Sequence, residues 1–212
     1  ELRDLVVIPS LSNNNTRGTL AISASVRNLS KKDAKGYSIT YTLFANKLYS
    51  DNTTPVTGLQ PVSTGKINIG KDGAEAVSLG KLALSDPRLW SAEAPWRYTL
   101  VAQLKDNGGD VVETVSVHTG FRQVEIRDTP ASEDSYGKAG RYYYINGQPV
   151  KLRGVNRHES MPDRGHAVTR AHMKEEVMMM KRANINHVRN SHYPDDLYWY
   201  ELCDKYGIYL ED

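Results

Sequence analysis

Two short runs of this chain concentrate side chains that can grip a polar ligand. The first is Arg153-Gly154-Val155-Asn156-Arg157-His158-Glu159, and the second is Val188-Arg189-Asn190-Ser191-His192-Tyr193-Pro194. Each passes from a few apolar residues into imidazole, guanidinium and amide groups. This set is rich in hydrogen-bond donors and poor in apolar surface. It suits a polyhydroxylated or anionic ligand, because every hydroxyl brought out of water must find a partner. A single His at a strand end is usually a surface or capping residue. His158 and His192 at matched ends of neighbouring strands point instead to a site, with Asn156, Arg157 and Arg189 among the polar groups around them. Arg189 fits a structural ion pair equally well. Glu159 could serve as a general acid, but it reads more simply as a loop carboxylate.

The elements that position these groups follow from periodicity. Thr169 is an N-cap, and Met173, Val177 and Met180 fall on one helix face. Lys181 and Arg182 suit the C-terminal end of that helix. Ile185 to Arg189 is a strand. Asp195 and Asp196 open a second helix carrying Leu197, Trp199, Tyr200, Leu202, Cys203 and Tyr206, and Gly207 stops it. Ile208-Tyr209-Leu210 is a third strand. The order strand, helix, strand, helix, strand demands a parallel sheet, whose ligands sit at the C-terminal strand ends.

The preceding residues read differently. Residues 1–127 alternate with period two: Leu20, Ile22, Ala24 and Val26; Tyr37, Ile39, Tyr41 and Leu43; Tyr98, Leu100, Ala102 and Leu104. The last run turns through Asp106-Asn107-Gly108-Gly109-Asp110 into Val111, Glu113, Val115 and Val117, a hairpin. With no helical pattern and about seven strands, this half predicts an immunoglobulin-like all-β sandwich of fibronectin-like type. Residues 128–141 have the composition of a mobile linker. A hairpin follows around Asn146-Gly147, with 142–145 and 150–155 as its arms. Residues 142–212 are then the first β/α units of a TIM-type barrel, incomplete because such a barrel takes about 250 residues.

Bulk properties exclude several classes. Lys+Arg number 27 against Asp+Glu 25, a net charge of +2, which gives no argument for nucleic acid or an anionic membrane. No apolar run has the length to span a bilayer. Cys203 is the one cysteine, so no intrachain disulfide forms, and its helical setting marks it as a core residue. There is no P-loop and no Gly-x-Gly-x-x-Gly. His166, His172 and His187 lack metal-ligand spacing, so no metal or cofactor is expected on this segment.

Leu89-Trp90-Ser91-Ala92-Glu93-Ala94-Pro95, Gly120-Phe121-Arg122, Ile145-Asn146-Gly147-Gln148-Pro149, Arg153 to Glu159, Ser191-His192-Tyr193-Pro194 and Leu202-Cys203-Asp204-Lys205-Tyr206-Gly207 occur in that order. In this combination the chain resembles glycoside hydrolase family 2, and within it the bacterial β-galactosidases. The resemblance implies a retaining hydrolase of terminal non-reducing β-D-galactose. It implies that His158 and His192 bond galactose hydroxyls and stabilise the transition state, that Arg189 lies near the nucleophile, and that Asn156 and Arg157 play supporting roles. It places both catalytic glutamates on later barrel strands, so no catalytic carboxylate is assigned within the chain and the segment alone is expected to be inactive. It implies magnesium, with sodium as a second ion, for the intact enzyme, which would be a homo-oligomer in the cytoplasm or periplasm. β-Glucuronidase and β-mannosidase are the alternatives within the family. A non-catalytic immunoglobulin-like interaction module is the alternative outside it, and it leaves the polar strand ends without a role.

Overall fold

The computed structural model describes residues 1–212, which fall into two units. The first comprises residues 1–47, 51–88 and 97–121, and the second residues 48–50, 89–96 and 122–212. The units therefore do not part at residue 127. Residues 89–96 go with the second unit because Trp90 and Ala92 are buried there against Ile145 and Tyr209.

The first unit has no helix, and its period-two runs are strands. In one sheet β2 (Arg17–Arg27) runs antiparallel between β1 (Leu2–Ser12) and β7 (Glu75–Ser85). In the other, β3 (Ala34–Asn46) pairs with β4 (Thr53–Pro55), β5 (Val62–Ser63), β6 (Ile67–Ile69) and β8 (Tyr98–Lys105). β9 (Val111–Thr119) lies beyond β8. Leu20, Ile22, Ala24 and Val26 of β2 are buried, as are Ile39, Tyr41, Leu43, Leu100, Ala102 and Leu104 of the second sheet. A Cβ at Gly80 on β7 would press into the Tyr41 ring on β3, so the sheets meet face to face as a sandwich. β1 has no clean alternation to announce it. It is an edge strand that leaves Val6 and Ile8 exposed, and it accommodates Pro9 because an edge strand can spare a donor.

In the second unit β10 (Val124–Thr129), β11 (Gly140–Ile145) and β12 (Gln148–Val150) form an antiparallel sheet. Residues 128–141 are thus no plain linker. Asp128 and Thr129 end β10, residues 131–133 make a 3-10 turn, and Gly140 pairs with Thr129. Their polar composition hides backbone that is paired. Asn146 (φ 54) and Gly147 (φ 79) form the expected tight turn between β11 and β12. The arm read as 150–155 is two elements, because β12 stops at Val150 and β13 (Gly154–Arg157) joins a different sheet.

That sheet is parallel, in the order β13, β14 (His187–Asn190), β15 (Tyr209–Glu211). α1 (Arg170–Arg182) and α2 (Leu197–Tyr206) connect the strands. Thr169 Oγ1 accepts from His172 N at 3.2 Å to start α1, and Asp196 accepts from Tyr198 N at 2.8 Å to start α2. Gly207 ends α2 at φ 75, where a Cβ would collide with the Ala92 carbonyl. Met173, Val177, Met180, Val188, Trp199, Leu202, Cys203 and Ile208 form the core between helices and sheet. Neither helix is long and apolar enough to cross a membrane.

Candidate active site

Strand alternation sorts the polar residues onto two faces. Val155 and Arg157 on β13, and Val188 and Asn190 on β14, point to the helix side. Gly154, Asn156, His187, Arg189 and Glu211 take the opposite, open side. Gly154 is needed because the His187 ring and carbonyl occupy the space a Cβ would fill. The register sets Asn156 beside Arg189, and Arg189 beside Glu211.

At the C-terminal ends, His158 and His192 stand edge to face with ring centroids 5.8 Å apart. Tyr193 lies 6.5 Å from His158 and 5.5 Å from His166 by ring centroids. Arg189 ties the second strand end together. Its Nε donates to Glu211 Oε1 at 3.3 Å, and its Nη2 donates to His192 Nδ1 at 3.3 Å. A guanidinium can only donate, so His192 Nδ1 accepts and its ring proton sits on Nε2, free to be offered to a ligand oxygen. His166 Nδ1 donates to the Glu159 carbonyl at 2.7 Å. The Glu159 carboxylate accepts from Asp196 N at 3.1 Å, so it serves the start of α2 as a loop carboxylate. The Ser191–His192 peptide is cis.

His158, His192 and Arg189 are therefore brought together, and Asn156 lies exposed beside Arg189 on the same face. Arg157 does not join them. One residue further along the strand, it turns to the helix side and is buried. It donates to Asp195 Oδ2 at 2.6 Å and to Glu176 Oε2 at 2.8 Å, and its guanidinium lies 3.9 Å from the Trp199 ring centroid. Burial works against the Arg157 charge, and Glu176 and Asp195 more than offset this, so the guanidinium is held more firmly protonated. Burial pushes the Asp195 carboxyl up against the pull of Arg157, and Glu159 and Asp212 push it further. Arg157 thus fixes the strand end from below.

Three contributors escape a reading of single residues. Asp195 and Glu176 hold Arg157. Buried Asn190 accepts from Trp199 Nε1 at 3.1 Å and donates to Asp212 Oδ1 at 3.1 Å, joining α2 to the end of β15. The helix spacing of Glu176 with Met173, Val177 and Met180 was a usable signal, since it puts this carboxylate at the border of the apolar stripe. No group of three or more His, Cys, Asp or Glu side chains is gathered to hold a metal ion.

A family model described as glycosyl hydrolases family 2 matches residues 1–122, and the family's TIM barrel domain matches residues 139–212. The chain belongs to this glycosyl hydrolase family. Among curated relatives, a β-galactosidase of Priestia megaterium is 39% identical over 99% of the chain, which spans 18% of that relative's length. Among solved structures, a β-glucuronidase of Parabacteroides merdae superposes with a TM-score of 0.77 at 25% identity, over 99% of this chain and 23% of that one. A β-glucuronidase of Bacteroides uniformis gives 0.79 at 23% identity, over 97% and 22%. The fold shared with these family members is the sandwich followed by the start of the barrel.

Proposed function

We propose that the polypeptide carrying these residues is a retaining β-galactosidase, and that this chain supplies the sugar-gripping flank of its active site. The carrying observation is the pairing of His158 and His192 at adjacent parallel strand ends, with the His192 tautomer fixed by Arg189. The name of the Priestia megaterium relative supports galactose as the sugar. In this reading His192 Nε2–H and the His158 ring bond hydroxyls of the galactosyl ring. These bonds strengthen as the ring flattens toward an oxocarbenium-like transition state. Arg189, already engaged by Glu211, orients the neighbouring nucleophile.

Retention requires two carboxylates about 5–5.5 Å apart, one as acid/base and one as nucleophile. Asp195 and Glu176 are committed to Arg157, Glu159 to the start of α2, and Glu211 to Arg189. The family resemblance places the pair on later barrel strands, and on that reading residues 1–212 alone are expected not to turn over substrate. By the same family resemblance the enzyme is a homo-oligomer, which light scattering would test.

The experiment is a comparison of nitrophenyl glycosides. The complete polypeptide should hydrolyse the β-galactoside with kcat/KM at least about a hundredfold above the β-glucuronide and β-mannoside. A preference for the glucuronide would replace galactose with glucuronic acid as substrate, the reading that the β-glucuronidase neighbours make the natural competitor. No hydrolysis of any of the three would remove the enzymatic reading.

A further inference from the structure

We infer that the second unit carries an accessory binding site for a neutral saccharide, away from the strand ends that hold His158 and His192. A cavity of about 690 Å3 lies between the sheet of β10, β11 and β12 and the loop at 130–139. This is the size of a site for a small ligand of one to a few rings. Three tyrosines line it: Tyr142 and Tyr144, two apart on β11 and so on one face, and Tyr136 from the loop.

The loop is built to hold that shape. Asp134 Oδ2 accepts from Tyr136 N and Lys138 N, both at 3.0 Å. Tyr142 donates to the Lys138 carbonyl at 3.0 Å, and the Tyr144 hydroxyl is paired with Thr129 Oγ1 at 2.7 Å. Despite this bracing the Tyr136 ring stays 72% exposed, with Lys151 Nζ 5.0 Å from its centroid. A loop fixed so firmly around an exposed aromatic ring has little to gain from that ring in folding.

The lining chemistry selects the ligand class. The exposed Tyr136 ring can receive the C–H face of a pyranose, with the Tyr144 ring buried under Arg127 behind it, and flanking polar groups receive its hydroxyls. Glu133 and Asp134 are balanced by Lys138 and Lys151, so the cavity offers both donors and acceptors without a net field to favour an anion. A neutral polyol matches that balance better than a phosphate or a uronic acid.

The position excludes a reactive role. A smaller cavity of about 460 Å3 shares Pro149, Val150 and Lys151 with this one and reaches Arg153, Asn186 and Tyr209. Those three stand at or just before the N-terminal ends of β13, β14 and β15. His158 and His192 stand at the other ends, roughly 13 Å away by strand rise. A saccharide held here is retained near the enzyme without being in reach of its chemistry.

The test is saturation-transfer NMR on the complete polypeptide with lactose as probe, after the hydrolytic site is saturated with a galactose-configured iminosugar. Lactose should still bind, with Kd on the order of 1 mM. Tyr136→Ala should weaken it at least about tenfold and Lys151→Met severalfold, while both variants hydrolyse nitrophenyl β-galactoside as wild type. Tyr136 is exposed, so its removal leaves the fold intact. The site is refuted if the blocked protein shows no transfer to lactose, or if Tyr136→Ala binds it as wild type does. Lactose binding that responds to Tyr136→Ala without any galactoside hydrolysis would sustain this site and sink the galactosidase reading, so the two fail separately.

Discussion

Arg157 and Arg189 stand on neighbouring parallel strands, yet they belong to opposite regions. Below the sheet, Arg157 is buried against Trp199 with two carboxylates as partners. On the open side, Arg189 is half-exposed and shares itself between Glu211 and His192. The residue type is the same, and both stand close to the C-terminal ends of their strands. The face decides the role: in the buried region a charge is a structural commitment, whereas in the open region it is available to a ligand. Cations at a barrel mouth should therefore be sorted by strand parity before they are given catalytic parts.

Substitutions separate the two regions by what they damage. Arg157→Met should cost about 3–5 kcal/mol, because it leaves Asp195 and Glu176 buried without their cation. Urea denaturation followed by tryptophan fluorescence reads this, and an unchanged midpoint would show that the network is not structural. His158→Phe and His192→Phe should do the reverse. Each is expected to lower kcat/KM of the complete polypeptide by about 10^2–10^3, with stability changed by less than about 0.5 kcal/mol. If either histidine variant lost stability instead of activity, the contrast between open and buried regions would collapse.

Smaller effects sharpen it. Asp196→Ala removes the N-cap of α2 and should cost about 1 kcal/mol, visible in the same denaturation curve. Cys203 probes the buried side by chemistry. Burial and then Asp204 push its thiol up from the ordinary value of 9.0. The folded thiol therefore stays protonated where an unfolded cysteine ionises. Its contribution to stability is fully present below the unfolded value and is lost as pH rises through the folded one. A thiol reagent at about pH 8 should leave native Cys203 untouched and modify it fully in urea. Rapid reaction of the folded protein would mean that the layer between helices and sheet opens readily.

Much of this was legible in the sequence, for reasons the structure makes plain. Leu20, Ile22, Ala24 and Val26 alternate because one face of β2 is core. The caps at Thr169, Asp196 and Gly207 are local chemistry, so they show without any tertiary information. His158 and His192 could be set at neighbouring strand ends because the β/α order makes the sheet parallel. The failures share one cause, which is that pairing across the chain leaves no mark on composition. The polar run 128–141 is strand at both ends because β10 and β11 find each other. Residues 150–155 are split because their partners lie in different sheets. Arg157 was grouped with its neighbours in sequence, although a strand sends neighbours to opposite sides.

The alternation of β13, β14 and β15 amounts to a parity code. On β13 the even positions face the open side, and on β14 and β15 the odd ones do. A slip of β14 by one residue in register would leave every side chain in the sequence and invert the message. Arg189 would be driven toward Trp199 and the apolar layer, and Asn190 would take its place among the histidines. The placement of Arg189 beside the histidines therefore depends on the register of β14 as much as on the identity of its residues.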